Sequence, residues 1–120
     1  MTCRVDLKAD FPEEGSGAIG FSFTGLSDEA VTPNTLEWTL TDVDGAVINS
    51  RQDVSATPAE TTWILLQGDD LKTTTVSNAR VLTIKGTYNT ILGGDAKTNV
   101  PYTGEFGFNV CSFLNIPDIP

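Results

Sequence analysis

A chain of 120 residues makes one domain, and 39% hydrophobic residues with six Phe and two Trp argue against wholesale disorder. Sixteen acidic against seven basic residues leave a net charge of −9, a field that repels phosphate backbones and excludes nucleic acid as a natural partner. The absence of histidine removes Ser-His-Asp and Cys-His nucleophiles and His-containing zinc sites, and no stretch is long or apolar enough for a membrane-spanning helix.

The first element predicted is a strand over 3–9, in which Cys3, Val5 and Leu7 alternate with Arg4, Asp6 and Lys8. No charged-then-apolar leader precedes it, so synthesis in a cytoplasm is expected. Phe11-Pro12-Glu13-Glu14-Gly15-Ser16-Gly17 breaks this strand, with glycines that permit positive φ. Alternation resumes over 18–24, placing Ile19, Phe21 and Phe23 on one face. The polar connection 25–34 contains Ala30-Val31, room for a short bridge, and a strand centred on Trp38 follows over 36–42.

Asp42-Val43-Asp44-Gly45 is a hairpin signal, because Asp-Gly tolerates the left-handed backbone of a tight turn, and Ala46–Ser50 is the expected return strand. The same residues look like the start of a calcium loop, but the remaining oxygen ligands and the terminal Glu are missing. Residues 51–60 read as irregular, with a short edge strand at Asp53-Val54. The apolar run Trp63-Ile64-Leu65-Leu66 suits a strand covered on both faces or one carrying a bulge, and Gly68-Asp69-Asp70-Leu71 closes it with a turn. Trp38 and Trp63 both read as core, since each sits in an apolar strand window.

A further strand is predicted over 80–89, a hairpin loop at Ile91-Leu92-Gly93-Gly94-Asp95, and a last strand over about 101–111 with Tyr102, Gly104, Phe106, Phe108 and Val110 on one face. About seven strands with no helical window predict an all-β fold, an antiparallel immunoglobulin-like β-sandwich over residues 1–112. Cys3 and Cys111 fall on unlike faces of the first and last strands, which disfavours a disulfide and leaves two thiols.

Residues 113–120 differ in character: four large apolar residues, Phe113, Leu114, Ile116 and Ile119, share an extended arm with two prolines. The arm suits packing on its own sandwich, docking on a neighbour, or disorder, and those four residues are the candidate partner-binding set. No catalytic, cofactor-binding or metal-binding residue emerges, so no enzyme activity and no cofactor are expected. Gly15-Ser16-Gly17 lacks the Gly-Lys-Ser/Thr of a phosphate loop, two cysteines so far apart do not make a zinc pair, and Asp42, Asp44, Asp69 and Asp70 sit at turn positions.

Val31–Asp42, followed by Asp44-Gly45 and Val47–Arg51, resembles small immunoglobulin-like proteins encoded among tailed-bacteriophage structural genes. Gly68–Leu71 and Arg80–Tyr88 extend the likeness. The resemblance implies a virion component at the head-to-tail neck or tail, or a decoration protein on the capsid surface, with portal, neck, tail or capsid subunits as partners and homo-oligomers in the particle. It carries over no active site. A carbohydrate- or receptor-binding sandwich is one alternative, marked by exposed Trp or Tyr beside acidic loops, and a cell-surface adhesion module is another.

Overall fold

The computed structural model describes residues 5–12, 14–72 and 79–111. The described residues fold as seven strands, β1 Val5–Pro12, β2 Ser16–Ser22, β3 Thr35–Thr41, β4 Val54–Ser55, β5 Thr61–Gln67, β6 Ala79–Leu92 and β7 Asp95–Cys111, with one 3-10 turn at Gly68–Leu71. All-β is therefore the fold class.

The strands form a five-stranded sheet in the order β1-β7-β6-β3-β4 and a two-stranded sheet of β2 and β5. One pairing departs from the antiparallel expectation: β1 runs parallel to β7, with Val5 beside Phe106 and Phe11 beside Val110, so the large sheet is mixed. The first and last strands lie side by side at its edge, joined through the intervening fold rather than a turn.

The core fills the space between the two sheets. From the large sheet come Leu36, Trp38 and Leu40 of β3, Leu82 and Ile84 of β6, and Phe108 and Val110 of β7; Ile19, Phe21, Ile64 and Leu66 answer from the small one. Each set follows a period of two, because alternate strand residues share a face. Phe21 against Phe106, at 4.8 Å between ring centroids, ties the layers together, and Phe11 against Phe108, at 5.0 Å, joins β1 to β7 within the large sheet.

Two hairpin signals end differently. Gly93 and Gly94, both at positive φ, turn β6 into β7, closing a long hairpin. A bulge between Tyr88 and Thr90 is pinned by polar side chains: Asn99, at φ 52°, donates its N–H to Asn89 Oδ1, and the Asn34 amide donates to both Asn89 and Asn99. The Asp42–Gly45 turn does form, capped by Asp42 Oδ1 accepting from the N–H groups of Asp44 and Ala46, at 2.8 and 3.0 Å. Its return strand shrinks to one bridge between Thr41 and Val47, because β6 occupies one edge of β3 and β4 pairs with Trp38 on the other.

In the break after β1, positive φ falls on Glu14 rather than on a glycine. Gly15 and Gly17 serve close approach instead, the backbone of Gly17 lying against the Phe11 ring.

The 3-10 turn is anchored by Asp70. Its buried carboxylate accepts from Arg51 Nε at 2.8 Å, Asn49 Nδ2 at 2.8 Å and the Gln67 N–H at 3.1 Å. Burial alone raises this carboxyl, but the bonds from Arg51, Asn49 and Gln67 outweigh it and hold the group below the usual carboxylate range. Thus Asp70 takes a structural place, at a turn, as its sequence position implies.

Candidate interaction surface

The strand β5 alternates without a bulge: Thr62, Ile64 and Leu66 are buried and Thr61, Trp63, Leu65 and Gln67 are exposed. Its apolar run is therefore not covered on both faces. Trp38 is core as expected, but Trp63 is 68% exposed and Leu65 56%, which corrects the core assignment of Trp63. The physical reason lies in the partner strand. β2 offers Ser16, Ala18, Gly20 and Ser22 on the same outer face, and Gly20 stands directly across from Trp63. A Cβ at Gly20 would come within 2.7 Å of the indole, so the ring lies over a glycine backbone instead of entering the core.

Neither strand of the small sheet has a second neighbour among the described residues. Bonds at both ends of the ladder, from Phe23 N–H to Glu60 O at 3.2 Å and from Gly68 N–H to Gly15 O at 3.0 Å, set its phase. In an antiparallel ladder hydrogen-bonded and non-bonded pairs alternate. Thr62, Ile64 and Leu66 thus turn their backbone groups toward β2, and Thr61, Trp63 and Leu65 turn theirs to the outer edge of β5. The residues with exposed apolar side chains are also those with outward backbone donors and acceptors.

A second exposed apolar region sits at the far end of the long hairpin, where Ile91 and Leu92 stand beside Leu26. The loop holding Leu26 is braced on the hairpin: Leu26 N–H donates to Thr90 Oγ1 at 2.8 Å, Ser27 Oγ donates to the Ile91 carbonyl at 2.6 Å, and Thr90 Oγ1 donates to Glu29 at 2.9 Å. Between this end and the small sheet lies an aromatic-lined cavity of about 270 Å³, with Phe21, Phe23, Tyr88, Tyr102 and Phe106 in its wall. The Tyr102 hydroxyl donates to the Thr35 carbonyl at 2.8 Å, and burial pushes that phenol up to about 12.

The candidate partner-binding residues Phe113, Leu114, Ile116 and Ile119 lie outside the described residues, as does Cys3. Cys111 is exposed with a free thiol, on the face opposite Val110. Among the described residues no three His, Cys, Asp or Glu side chains gather where they could hold a metal ion. Trp63, Leu65, Ile91 and Leu92 are the surface residues that sequence reasoning missed. Ser16, Ala18, Gly20 and Ser22, small residues at a spacing of two, were the available signal that one face of the small sheet has nothing over it. No family model, no curated protein and no solved structure matches the chain.

Proposed function

We propose that this protein is a structural subunit of a tailed-phage virion, an accessory component at the head-to-tail neck or tail, built on an immunoglobulin-like sandwich. The strand order supports the sandwich reading. In a variable-type immunoglobulin domain the last strands and the third lie together with an added strand outside them, facing the second and fifth. β7-β6-β3-β4 opposite β2–β5 follows that order.

The observation that carries the assembly reading is the separation of two apolar surfaces in a strongly acidic chain. Trp63 with Leu65 and Ile91 with Leu92 stand exposed on different elements, although 16 acidic residues were available to cover such positions. Surfaces of this kind are covered by partners in an assembly, whereas a lone acidic monomer keeps its apolar residues scattered. Other virion proteins and further copies of the chain are the partners proposed, in the particle and after synthesis in the host cytoplasm. The test is sedimentation with particles from the protein's source, intact and separated into heads and tails. Saturable binding to tails or necks is the expected result, binding to heads alone selects the capsid decoration role, and a protein that stays in the supernatant overturns the assembly reading.

One observation favours a second reading, a carbohydrate-binding module. The Trp63 indole lies exposed on a face of small residues, Ser16, Ala18, Gly20 and Ser22, with Glu60 nearby in sequence and Asp69 just beyond the strand. A flat aromatic ring with an open face is a stacking platform for a sugar ring. Saturable quenching of Trp63 by a glycan, absent in Trp63→Ala, would establish this reading.

A further inference from the structure

We infer that the outer edge of β5 is an acceptor for strand addition, and that its occupant is the segment 112–116 of a second copy of this chain. The inference deepens the assembly reading above and rests on it, naming the surface that receives the C-terminal arm.

The acceptor side is a matter of what β5 lacks. Exposed edge strands are normally blunted by lysine, proline, a bulge or a covering element, since their free N–H and C=O groups template pairing with other chains. Thr61–Gln67 contains no charged residue and no proline, and its register with β2 runs unbroken. The outward backbone groups of Thr61, Trp63 and Leu65 are therefore presented on a strand whose outer face is itself apolar. The end of the edge is closed, because Gln67 N–H is already taken by Asp70 Oδ2 at 3.1 Å. The open stretch is 61–65, five residues long.

The donor side matches in length and chemistry. Nine residues follow Cys111, and the first five, Ser112-Phe113-Leu114-Asn115-Ile116, are free of proline, while Pro117 then removes a ladder donor. An extended strand of this sequence adds five backbone units and carries apolar side chains to lie beside Trp63 and Leu65. Peptide recognition by strand addition works in this way, with main-chain bonds for affinity and alternate side chains for specificity.

The choice of a second copy over the same chain follows from where β7 ends. Cys111 pairs with Pro12, and the chain from Pro12 leads directly into β2, beyond which lies β5. To reach the far edge of β5 a chain must cross two or three strand spacings of about 4.8 Å, which uses up about three or four residues at ~3.3 Å each. Within one molecule that path spends most of 112–116 and leaves one or two residues before Pro117, which cannot donate. A neighbouring copy delivers the proline-free stretch whole. Arm-to-edge contact of this kind is head-to-tail, and head-to-tail contacts close into rings when the rotation allows.

The test uses the full-length chain and a synthetic peptide of residues 111–120. The peptide is titrated into dilute protein while Trp63 emission is followed, and light scattering reports self-association with concentration. Expected are saturable binding with a shift in Trp63 emission, concentration-dependent association of the chain, and dissociation of those assemblies by excess peptide. A peptide carrying Leu114→Pro should bind at least tenfold more weakly. On the acceptor side, Leu65→Pro and Leu65→Lys should weaken binding by a similar factor. Both leave the β2–β5 bonds intact because the Leu65 N–H points outward, and retention of the native thermal transition checks that each has folded. Equal binding of the proline peptide overturns the inference. So does a chain that stays monomeric at every concentration and ignores the peptide, whether its arm lies on its own edge or in solvent. The broader reading fails separately: peptide binding without sedimentation on particles refutes the virion role and leaves the edge pairing standing. Sedimentation without peptide binding does the reverse.

Discussion

The two tryptophans occupy similar windows, Leu36-Glu37-Trp38-Thr39-Leu40 and Thr61-Thr62-Trp63-Ile64-Leu65, and meet opposite fates. Trp38 is 7% exposed, flanked by β6 and β4, with the Arg51 guanidinium 5.8 Å from its ring centroid. Trp63 is on a sheet of two strands, opposite a glycine, with its ring in solvent. The difference teaches that an apolar residue in a strand is buried by what faces its side of the sheet, not by its own neighbours in sequence. In the large sheet the inner face meets the small sheet, and the parity of β3 puts Trp38 there. The parity of β5 puts Ile64 and Leu66 there instead and leaves Trp63 outside.

The largest effect expected from breaking this contrast is that of Trp38→Ala. Removing a buried aromatic from a packed core costs about 3–5 kcal/mol, read as a lowered midpoint in urea unfolding. A fall comparable to that of Trp63→Ala would refute the burial assignment. Next comes Arg51→Ala, which leaves the buried Asp70 carboxylate without its cation and should cost about 2–3 kcal/mol, at the lower end because Arg51 itself is partly exposed. The pH dependence of this anchor has a definite sign. The folded-state value of Asp70 is lowered, so its contribution is fully present above the unfolded value of about 3.9 and is lost as pH falls through the folded one. The stability difference between wild type and Asp70→Asn should therefore be complete above about pH 4 and close on further acidification. A difference constant with pH would exclude the linkage.

A pair of glycines sharpens the comparison between sheets. A Cβ at Gly86, in the large sheet, would overlap the Thr35 carbonyl oxygen and crowd the Tyr102 hydroxyl, fixed atoms on both counts. Gly86→Ala should cost about 1–3 kcal/mol by overpacking. At Gly20 the obstacle is the far end of the exposed Trp63 ring, which can swing aside. Gly20→Ala should stay within about 0.5 kcal/mol of wild type, as surface substitutions usually do, while changing Trp63 emission and its quenching by acrylamide. Equally small, Trp63→Ala should leave stability within about 0.5 kcal/mol of wild type, with the remaining tryptophan fluorescence blue-shifted and protected from quencher. A large loss would mean that the indole is a core element after all.

Part of the fold is open to reading in the chain itself. Period-two alternation marks β2, β3, β6 and β7, and Asp42–Gly45 and Gly93-Gly94 mark their turns, since strand pleat and left-handed turn backbone are local requirements that particular residue types meet. The short edge strand near Val54 is legible for the same reason, and so is the turn closed by Asp70. The candidate surface is less legible. Trp63-Ile64-Leu65-Leu66 carries the signature of a strand covered on both faces, and its exposure depends on Ser16, Ala18, Gly20 and Ser22, four dozen or so residues away, offering a face with nothing packed on it. The exposed Ile91 and Leu92 escaped notice because a hairpin loop in sequence does not say how far the hairpin projects.

The amino-acid sequence by itself determined the strand-rich class, the turns, the acidic surface and the lack of histidine chemistry, because each follows from residue type and spacing over a few positions. Only the tertiary structure decided that β1 lies parallel to β7, that the Val47 return is one bridge rather than a strand, and that of two similar tryptophans one is core and the other surface. Those outcomes depend on which strands compete for an edge and which faces meet across the core, quantities set by pairing between residues distant along the chain.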